Sequence, residues 1–341
     1  MEEGGSLMKW FFGKCGVKNC NVMGLLFLTL GLSALWQPAD GLAQPYPQKT
    51  VRFIVPSTAG ASMDFSARLF ANRLSVLWKQ PVVVENRPGA NFIVGTEFVT
   101  KAAPDGYTLL FATLGGPALN PAVFPNLPYK AGDLIPVVQA SKNTVLLYVS
   151  NTVKANSVKE FIALLKANPG KYNHASGGTS TYMMGHLLRS LANVDFVDVN
   201  YKGGQPAFAS LLTGETHFSF GDTNTAAPAV QAGKIRPLAL ASRERTHLVP
   251  GMPTMIESGV PNFVFTSGLG IFAPANTPMD IVRKINADVQ PITRQRDVID
   301  ALEKTGSESE TGSPEEFSRL VASEIELWSK LVRERKLKVE E

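Results

Sequence analysis

"VRFIVPSTAGASMDFSARLF", residues 51–70, is the stretch whose reading decides the fold. Its first five residues are mostly β-branched or aromatic and read as a buried strand, and the run of small and turn-forming residues after them cannot continue it. From Met63 the apolar residues Met63, Ala67, Phe70, Leu74 and Leu77 recur at helical spacing. A strand that passes through small residues into a helix is a building unit of layered α/β folds. The loop between them is also where such folds take ligands, because small side chains expose backbone N–H groups and the helix start adds more of them. Ser62 is placed to cap this helix. Asp64, in its first turn, has two open roles: to face the positive end of the helix dipole, worth about 0.3–1 kcal/mol, or to accept a hydrogen bond from a protonated, hydroxylated or amino-bearing ligand.

The same alternation continues through the chain. Further strands are expected at "PVVVEN", "YTLLFAT", "VVQASKNTVLLYVS", "YNHAS", "FVDVNY", "HFSFGD", "IRPLALAS" and "FTSGLGIFAP", mainly parallel. Val158, Phe161, Ile162 and Leu165 mark a helix with a capping box at Ser157 and Glu160, ended by "NPGK". After "FAPANTPMD" the chain reads as helical to its end, with a start at Thr277 and Pro278. Fixed repeats and low-complexity tracts are absent from the sequence. The chain of 341 residues, 44% hydrophobic and 18% charged, is long enough for two lobes. They are expected as residues 44–145 with 256–341, and 146–255.

The N-terminus carries Lys9, Lys14 and Lys18 ahead of the apolar run of residues 22–36, then "QPADGLAQ". That order is the order of a signal peptide, and the run is shorter than the ~20 residues a spanning helix needs. Gly41 and Ala43 supply the small residues before a cleavage expected ahead of Gln44, so residues 1–43 are lost. Cys15 and Cys20 leave with them, and the exported chain is expected to need no disulfide. The net charge of +4 is mild, and without basic clusters interleaved with aromatics it argues against a nucleic-acid partner.

Four loops rich in Gly, Ser or Thr follow strands: "PSTAGASMD" (56–64), "NRPGANFIVGT" (86–96), "ASGGTST" (175–181) and "YKGGQPA" (201–207). Facing one cleft, they would make an anion site. Nucleotide-binding glycine patterns and the nucleophile elbow do not occur in the sequence. His174, His186, His217 and His247 have no metal-ligand spacing, so neither a metal nor a cofactor is expected. His186 reads as a surface or core-edge residue, and Met183, Met184, Leu187 and Leu188 read as core. An exported serine hydrolase built on Ser176 remains the rival from another class.

Together "YPQKTVRFIVP", "QPVVVENRPGAN", "AAPDGYTLLFAT" and "VNYKGGQPAFASLLTGETHFSF", with "IRPLALAS", "PGMPTMIESGV" and "FAPANTP", resemble the Bug-type receptors of tripartite tricarboxylate transporters from Tyr46 onward. The resemblance implies a two-lobed α/β fold of the type II periplasmic-binding-protein kind, with a ligand cleft between the lobes. It implies a periplasmic, monomeric, non-catalytic receptor that captures a small organic acid, a mono-, di- or tricarboxylate or an amino-acid-like acid, for a large and a small membrane subunit. A sensor feeding a membrane kinase would look the same. The implied ligand positions are Ser57, Thr58, Ala59, Gly60, Ser62, Met63 and Asp64 in the first loop, then Gly89, Ala90 and Asn91. Ser176, Gly177, Thr179 and Thr181 follow, with Tyr201, Lys202, Gly203 and Gly204, and Asp222 at the border. The chain departs from the family in "STAGAS", in Tyr182, and in Asn91 and Phe92, which replace glycines and imply a narrower, more apolar wall.

Overall fold

The opening stretch forms strand β1 (Val51–Val55) and helix α1 (Ser62–Trp78). The computed structural model describes residues 46–337 other than Thr266; the expected leader, with Lys9, Lys14, Lys18 and both cysteines, lies outside the described residues. All nine stretches expected to be strands are strands. In chain order they continue as β2 (Val82–Asn86), β3 (Thr108–Thr113), β4 (Leu134–Asn143), β5 (Val145–Ser150), β6 (Asn173–Ser176), β7 (Val197–Asn200), β8 (Phe218–Asp222), β9 (Ile235–Leu240) and β10 (Gly268–Pro274). A short β11 (Ser307–Ser309) is added that no sequence pattern announced. The other helices are α2 (Ile93–Thr100), α3 (Asn120–Val123), α4 (Val158–Ala167), α5 (Thr179–Ala192), α6 (Gly204–Thr213), α7 (Thr223–Gln231), α8 (Met279–Thr293), α9 (Arg296–Glu303) and α10 (Pro314–Arg335).

The strands make two sheets, in the orders β11-β4-β10-β3-β1-β2 and β7-β6-β8-β5-β9. Parallel pairing is less dominant than expected. β1 runs parallel to β2 and β3, and β6 to β7 and β8, but β10 is antiparallel to β3 and β4, β11 to β4, and β5 to β8 and β9. The cause is the single run "VVQASKNTVLLYVS", which passes from one sheet into the other with no helical crossover to reverse it.

At that passage the Thr144 N–H donates to the Gly306 carbonyl at 3.1 Å, and the Thr144 carbonyl accepts from Thr223 N–H at 3.3 Å. The chain returns between Phe265, whose N–H bonds Ala241 O in the second sheet, and Ser267, whose carbonyl takes Asn143 N–H in the first.

Each sheet has its own core. In the first, Phe53 and Phe70 meet Phe111 at 5.8 and 5.9 Å between ring centres, and Phe272 meets Phe317 at 5.1 Å. Gly270 is required there, since a Cβ on it would lie 2.4 Å from Phe317 Cζ. In the second, Phe161 and Phe218 pack edge to face with Met183, Leu187 and Leu188 around them. Helix α10 belongs to both, burying Phe317 and Val321 in the first core and Trp328 and Leu331 in the second.

Several local expectations change. The residue preceding α1 is Ala61, with no side-chain cap, and Ser62 is already its first residue. Leu77 is exposed, and Trp78 takes the buried position against the Tyr46 ring. Ser157 does accept from Glu160 N–H, but the Glu160 carboxylate accepts from Asn156 N–H, so that box is half made. Helix α8 starts one residue beyond Pro278, and the Thr277 hydroxyl donates back to Pro274 O. Among the described residues no helix is long and apolar enough to cross a membrane.

Candidate functional site

A cavity of about 340 Å³ lies between the sheets. Its first wall comes from the loop after β1 and the start of α1, with Ser57, Ser62, Met63 and Ser66, and from Phe92 and Gly115. Its second wall is Ser180, Thr181, Gly221 and Asp222, and its floor is Asn143, Phe265 and Ser267 from the two crossings with Glu324 and Trp328 of α10. Thr181, Gly221 and Asp222 also border a second hollow of about 300 Å³ lined by Gly177, Gly204 and Gln205. A larger hollow of about 440 Å³ meets the cleft only at Asn143, Phe265, Ser267 and Glu324. None of the four loops reaches it, so the convergence of loops marks the smaller cavity as the site.

The four helices that start here, α1, α5, α6 and α7, have no side-chain cap at their N-termini. The two that do have one, α4 with Ser157 and α10 with Ser313, start elsewhere, as do the uncapped α8 and α9. Uncapped first-turn N–H groups need acceptors, and in a cleft a ligand can supply them. The hydroxyls of Ser57 and Ser66 sharpen this. Both oxygens are buried without a hydrogen-bond partner, and Ser66 is 1% exposed yet lines the cavity. A buried hydroxyl left unpaired costs about 1–3 kcal/mol, which a carboxylate oxygen would recover.

Asp64 takes neither of its two expected roles alone. Its carboxylate accepts from Gly60 N–H at 2.9 Å, from Arg68 at 3.0 Å and from Asn86 Nδ2 at 2.9 Å, and it is not among the cavity-lining residues. Burial alone would raise its pKa; the bonds from Arg68, Gly60 and Asn86 outweigh that and hold the carboxyl below the ordinary value. Asn86 Nδ2 also donates to Ser57 O, so this network shapes the first loop. Thr58, Ala59 and Gly60 lie on the exposed rim. In the second loop Gly89, Ala90 and Asn91 stay off the lining and deliver Phe92, whose ring packs over Gly115. Ala90, Asn91 and Phe92 all have left-handed backbone, with φ of 42°, 49° and 74°. Each such non-glycine residue stores about 1–2 kcal/mol.

In the third loop the Ser176 hydroxyl donates to Asn200 Oδ1, and Thr181 Oγ1 accepts from Gly177 N–H at 3.0 Å. Thr179 is buried with an unpaired hydroxyl. No histidine is hydrogen-bonded to Ser176 among the described residues. In the fourth loop Tyr201 N–H bonds Ser176 O, its hydroxyl bonds Glu215, and Lys202 is exposed. A Cβ on Gly177 would sit 2.6 Å from the Gly203 carbonyl oxygen and from Gly204 Cα, so the third and fourth loops touch backbone to backbone and form one wall.

That wall is backed by a cluster the sequence did not announce. Asp198 of β7 pairs with His174 Nδ1 at 2.8 Å, with Arg189 at 2.9 Å and with His186 at 3.4 Å. Burial would raise the Asp198 carboxyl, but His174 and Arg189 hold it below the ordinary value. Burial lowers His186 to about 4, against the opposing pull of Asp198. Ser66, Asn143, Ser267, Glu324 and Trp328 are among the lining residues sequence reading missed. Of these five, Ser66 had a signal, lying one helical turn after Ser62. Among the described residues no group of three or more His, Cys, Asp or Glu is placed to hold a metal ion.

The model of the tripartite tricarboxylate transporter family receptor matches residues 66–337. The chain is 31% identical over 317 residues to the protein BugT of Bordetella pertussis, covering 92% of this chain and 96% of that one. MatC from Rhodopseudomonas palustris, solved with bound malate, is 32% identical with a TM-score of 0.71, over 84% of this chain and 100% of its own. R. palustris Rpa4515, solved with adipate, is 30% identical with a TM-score of 0.73, over 84% and 97%. With the match running from within α1 to the end of α10, the chain belongs to the tripartite tricarboxylate transporter receptor family.

Proposed function

We propose that this chain is an extracytoplasmic solute-binding receptor that closes its two lobes around a small carboxylate and delivers it to the large and small membrane subunits of a tripartite tricarboxylate transporter. It performs no chemistry on the ligand. Residues 1–43 are its export signal, and it works in the periplasm as a monomer. The lobes are residues 44–145 with 256–341, and 146–255, adjusted to the crossings at Thr144 and between Phe265 and Ser267. Val145 and residues 256–265 then move with the second lobe, where Phe263 stacks on Phe220.

One observation carries the reading. Unpaired hydroxyls of Ser57 and Ser66 in one wall share a cavity with the uncapped helix start at Ser180 and Thr181 in the other. A carboxylate that satisfies both sets at once favours the closed arrangement, since only there do both lobes contribute contacts. The malate of MatC and the adipate of Rpa4515 support the ligand class.

Titration calorimetry against a panel of organic acids checks it, with about micromolar or tighter binding expected for at least one. At a hundredfold excess over Kd such a ligand stabilises the fold by about 2.7 kcal/mol, which a thermal-shift screen detects. Stabilisation by neutral sugars or metal cations, with none from any carboxylate, overturns the proposal.

A further inference from the structure

The cavity between the sheets is lined by neutral donors and apolar side chains, and no lysine, arginine or histidine lines it among the described residues. One carboxylate is met by the hydroxyls and helix starts described above, but a second charged end would leave water with no cation to receive it. The rest of a ligand meets hydrocarbon. Phe92, Phe265 and Trp328 reach the cavity from three separate stretches of chain, together with Met63 and Met184. Phe265 and Trp328 pack on each other at 5.8 Å between ring centres, whereas Phe92 makes no ring contact among the described residues. Phe92 is also placed against the preference of its backbone, since residues 90–92 are all left-handed, and such a path persists only where its surroundings over-determine it. Here two contacts do so. The buried Asn120 side chain donates from Nδ2 to the Asn91 carbonyl at 2.7 Å, one peptide bond before Phe92. Gly115 leaves room for the ring, since a Cβ on it would lie 3.1 Å from Phe92 Cδ2. Asn120 is braced in turn by the Tyr129 hydroxyl at 3.5 Å, which donates to Gly116 O at 2.8 Å.

We infer that Phe92 is a specificity-determining residue of this cleft, held there by Asn120 as a positioning residue, and that it selects a single carboxylate carried on an aryl or comparably broad hydrocarbon body. The inference rests on the receptor reading above and narrows it. Burial of apolar area drives such a body onto Phe92, and an aryl ring adds the offset or edge-on contact that ring pairs favour. A short dicarboxylate gains neither. Asn120 is not among the lining residues, so it acts on the ligand only through Phe92. Losing its amide frees the Asn91 carbonyl, lets the strained turn relax and takes the Phe92 ring off the wall, while the hydroxyls of Ser57 and Ser66 stay where they are.

Calorimetry at pH 7 on the exported chain tests it with matched acids: phenylacetate against acetate and 3-phenylpropionate against propionate, by displacement where the parent binds weakly, with succinate and malate as short dicarboxylates. The aryl member of at least one pair should bind about 10- to 100-fold more tightly than its parent, and more tightly than either dicarboxylate. Phe92→Ala should cut that ratio about tenfold and leave the parent acid within about twofold, which reports that the fold and the carboxylate site survive. Phe92→Leu should keep part of the preference. Asn120→Ala should lower the ratio as Phe92→Ala does, and the double variant should be no worse than Phe92→Ala alone, because one residue acts through the other. A merely structural role for Asn120 would instead weaken both members of a pair and add to Phe92→Ala. Phe92 is only half-buried, so its variants decide the inference by themselves should Asn120→Ala fail to fold. Aryl acids binding no more tightly than their parents, or a preference that survives Phe92→Ala, overturns the inference and, where succinate or malate binds, leaves the receptor reading standing. No binding by any of these acids counts against both.

Discussion

Asp64 behind the first wall, buried, and Asp198 behind the second, half-buried, are both acids paired with an arginine, and they differ in where that arginine can go. The Arg68 side chain is 50% exposed, so it can turn to water if Asp64 is removed. The Arg189 side chain is 20% exposed and stacks on Phe196, and a second partner of Asp198, His174, is fully enclosed among the rings of Phe196, Phe218 and Phe220. The first wall is therefore tied by a charge pair at its edge, the second by one inside its core. Asp222, exposed and without a side-chain hydrogen bond or ion pair among the described residues, lines the cavity between them.

This contrast orders the expected damage. Asp198→Ala leaves Arg189 without its counter-charge and the enclosed His174 Nδ1 without its hydrogen-bond partner, and should cost up to about 3–5 kcal/mol, the penalty for breaking a buried pair. A lowered urea midpoint with an unchanged slope is the expected result. A loss within about 0.5 kcal/mol, typical of a surface change, would mean that the second wall is not held from within.

Asp64→Asn should cost less, about 1–2 kcal/mol, because Arg68 is half exposed and solvent screens its share. The pH dependence gives the sign. Asp64 has a folded pKa below its unfolded value, so its stabilisation is complete above about pH 4 and is lost as pH falls through the depressed folded value. The gap between wild type and variant should therefore close on acidification below about pH 4. Carboxylate affinity should fall as well, since Gly60 N–H and Asn86 lose the acceptor that shapes the first loop. A stability gap that stays constant from pH 7 to pH 3 would show that Asp64 does not carry the tie as a charge.

How much of this was legible depends on how far apart the partners lie along the chain. Each strand–loop–helix unit was readable from local periodicity, and so were the loops at the strand ends, of which three line the cavity and the fourth only the adjoining hollow. The role of Asp64 was not, because its partner Asn86 is 22 residues away on the neighbouring strand. The Asp198 cluster requires the β6–β7 register, which sets His174 beside Asp198, and no local pattern encodes that pairing. Glu324 and Trp328 reach the floor because α10 runs through both cores, a consequence of packing rather than of spacing. Ser62 failed as a cap for a different reason: the chain enters α1 one residue early, which leaves its hydroxyl to the cavity.

The smallest expected effect concerns the turns of the two walls. The second wall places glycine at its positive-φ position, Gly203 at 111°, whereas the first runs Ala90, Asn91 and Phe92 through the left-handed region in succession. Asn91 belongs to a residue type that tolerates this conformation, and Phe92 is held by its seat over Gly115, so Ala90 is the residue with strain and nothing to offset it. Ala90→Gly should relieve that strain, less the extra freedom that glycine gives the unfolded chain, for a net gain of about 0.5–1 kcal/mol. In a chain of this size that is a rise of about 1–3 °C in Tm. Affinity should move the other way by a small factor, because a looser loop must be ordered again around Phe92 when the ligand arrives. A lower Tm instead would show that the left-handed path through Ala90 costs nothing in solution, and the contrast between a strained first wall and a relaxed second one would fail.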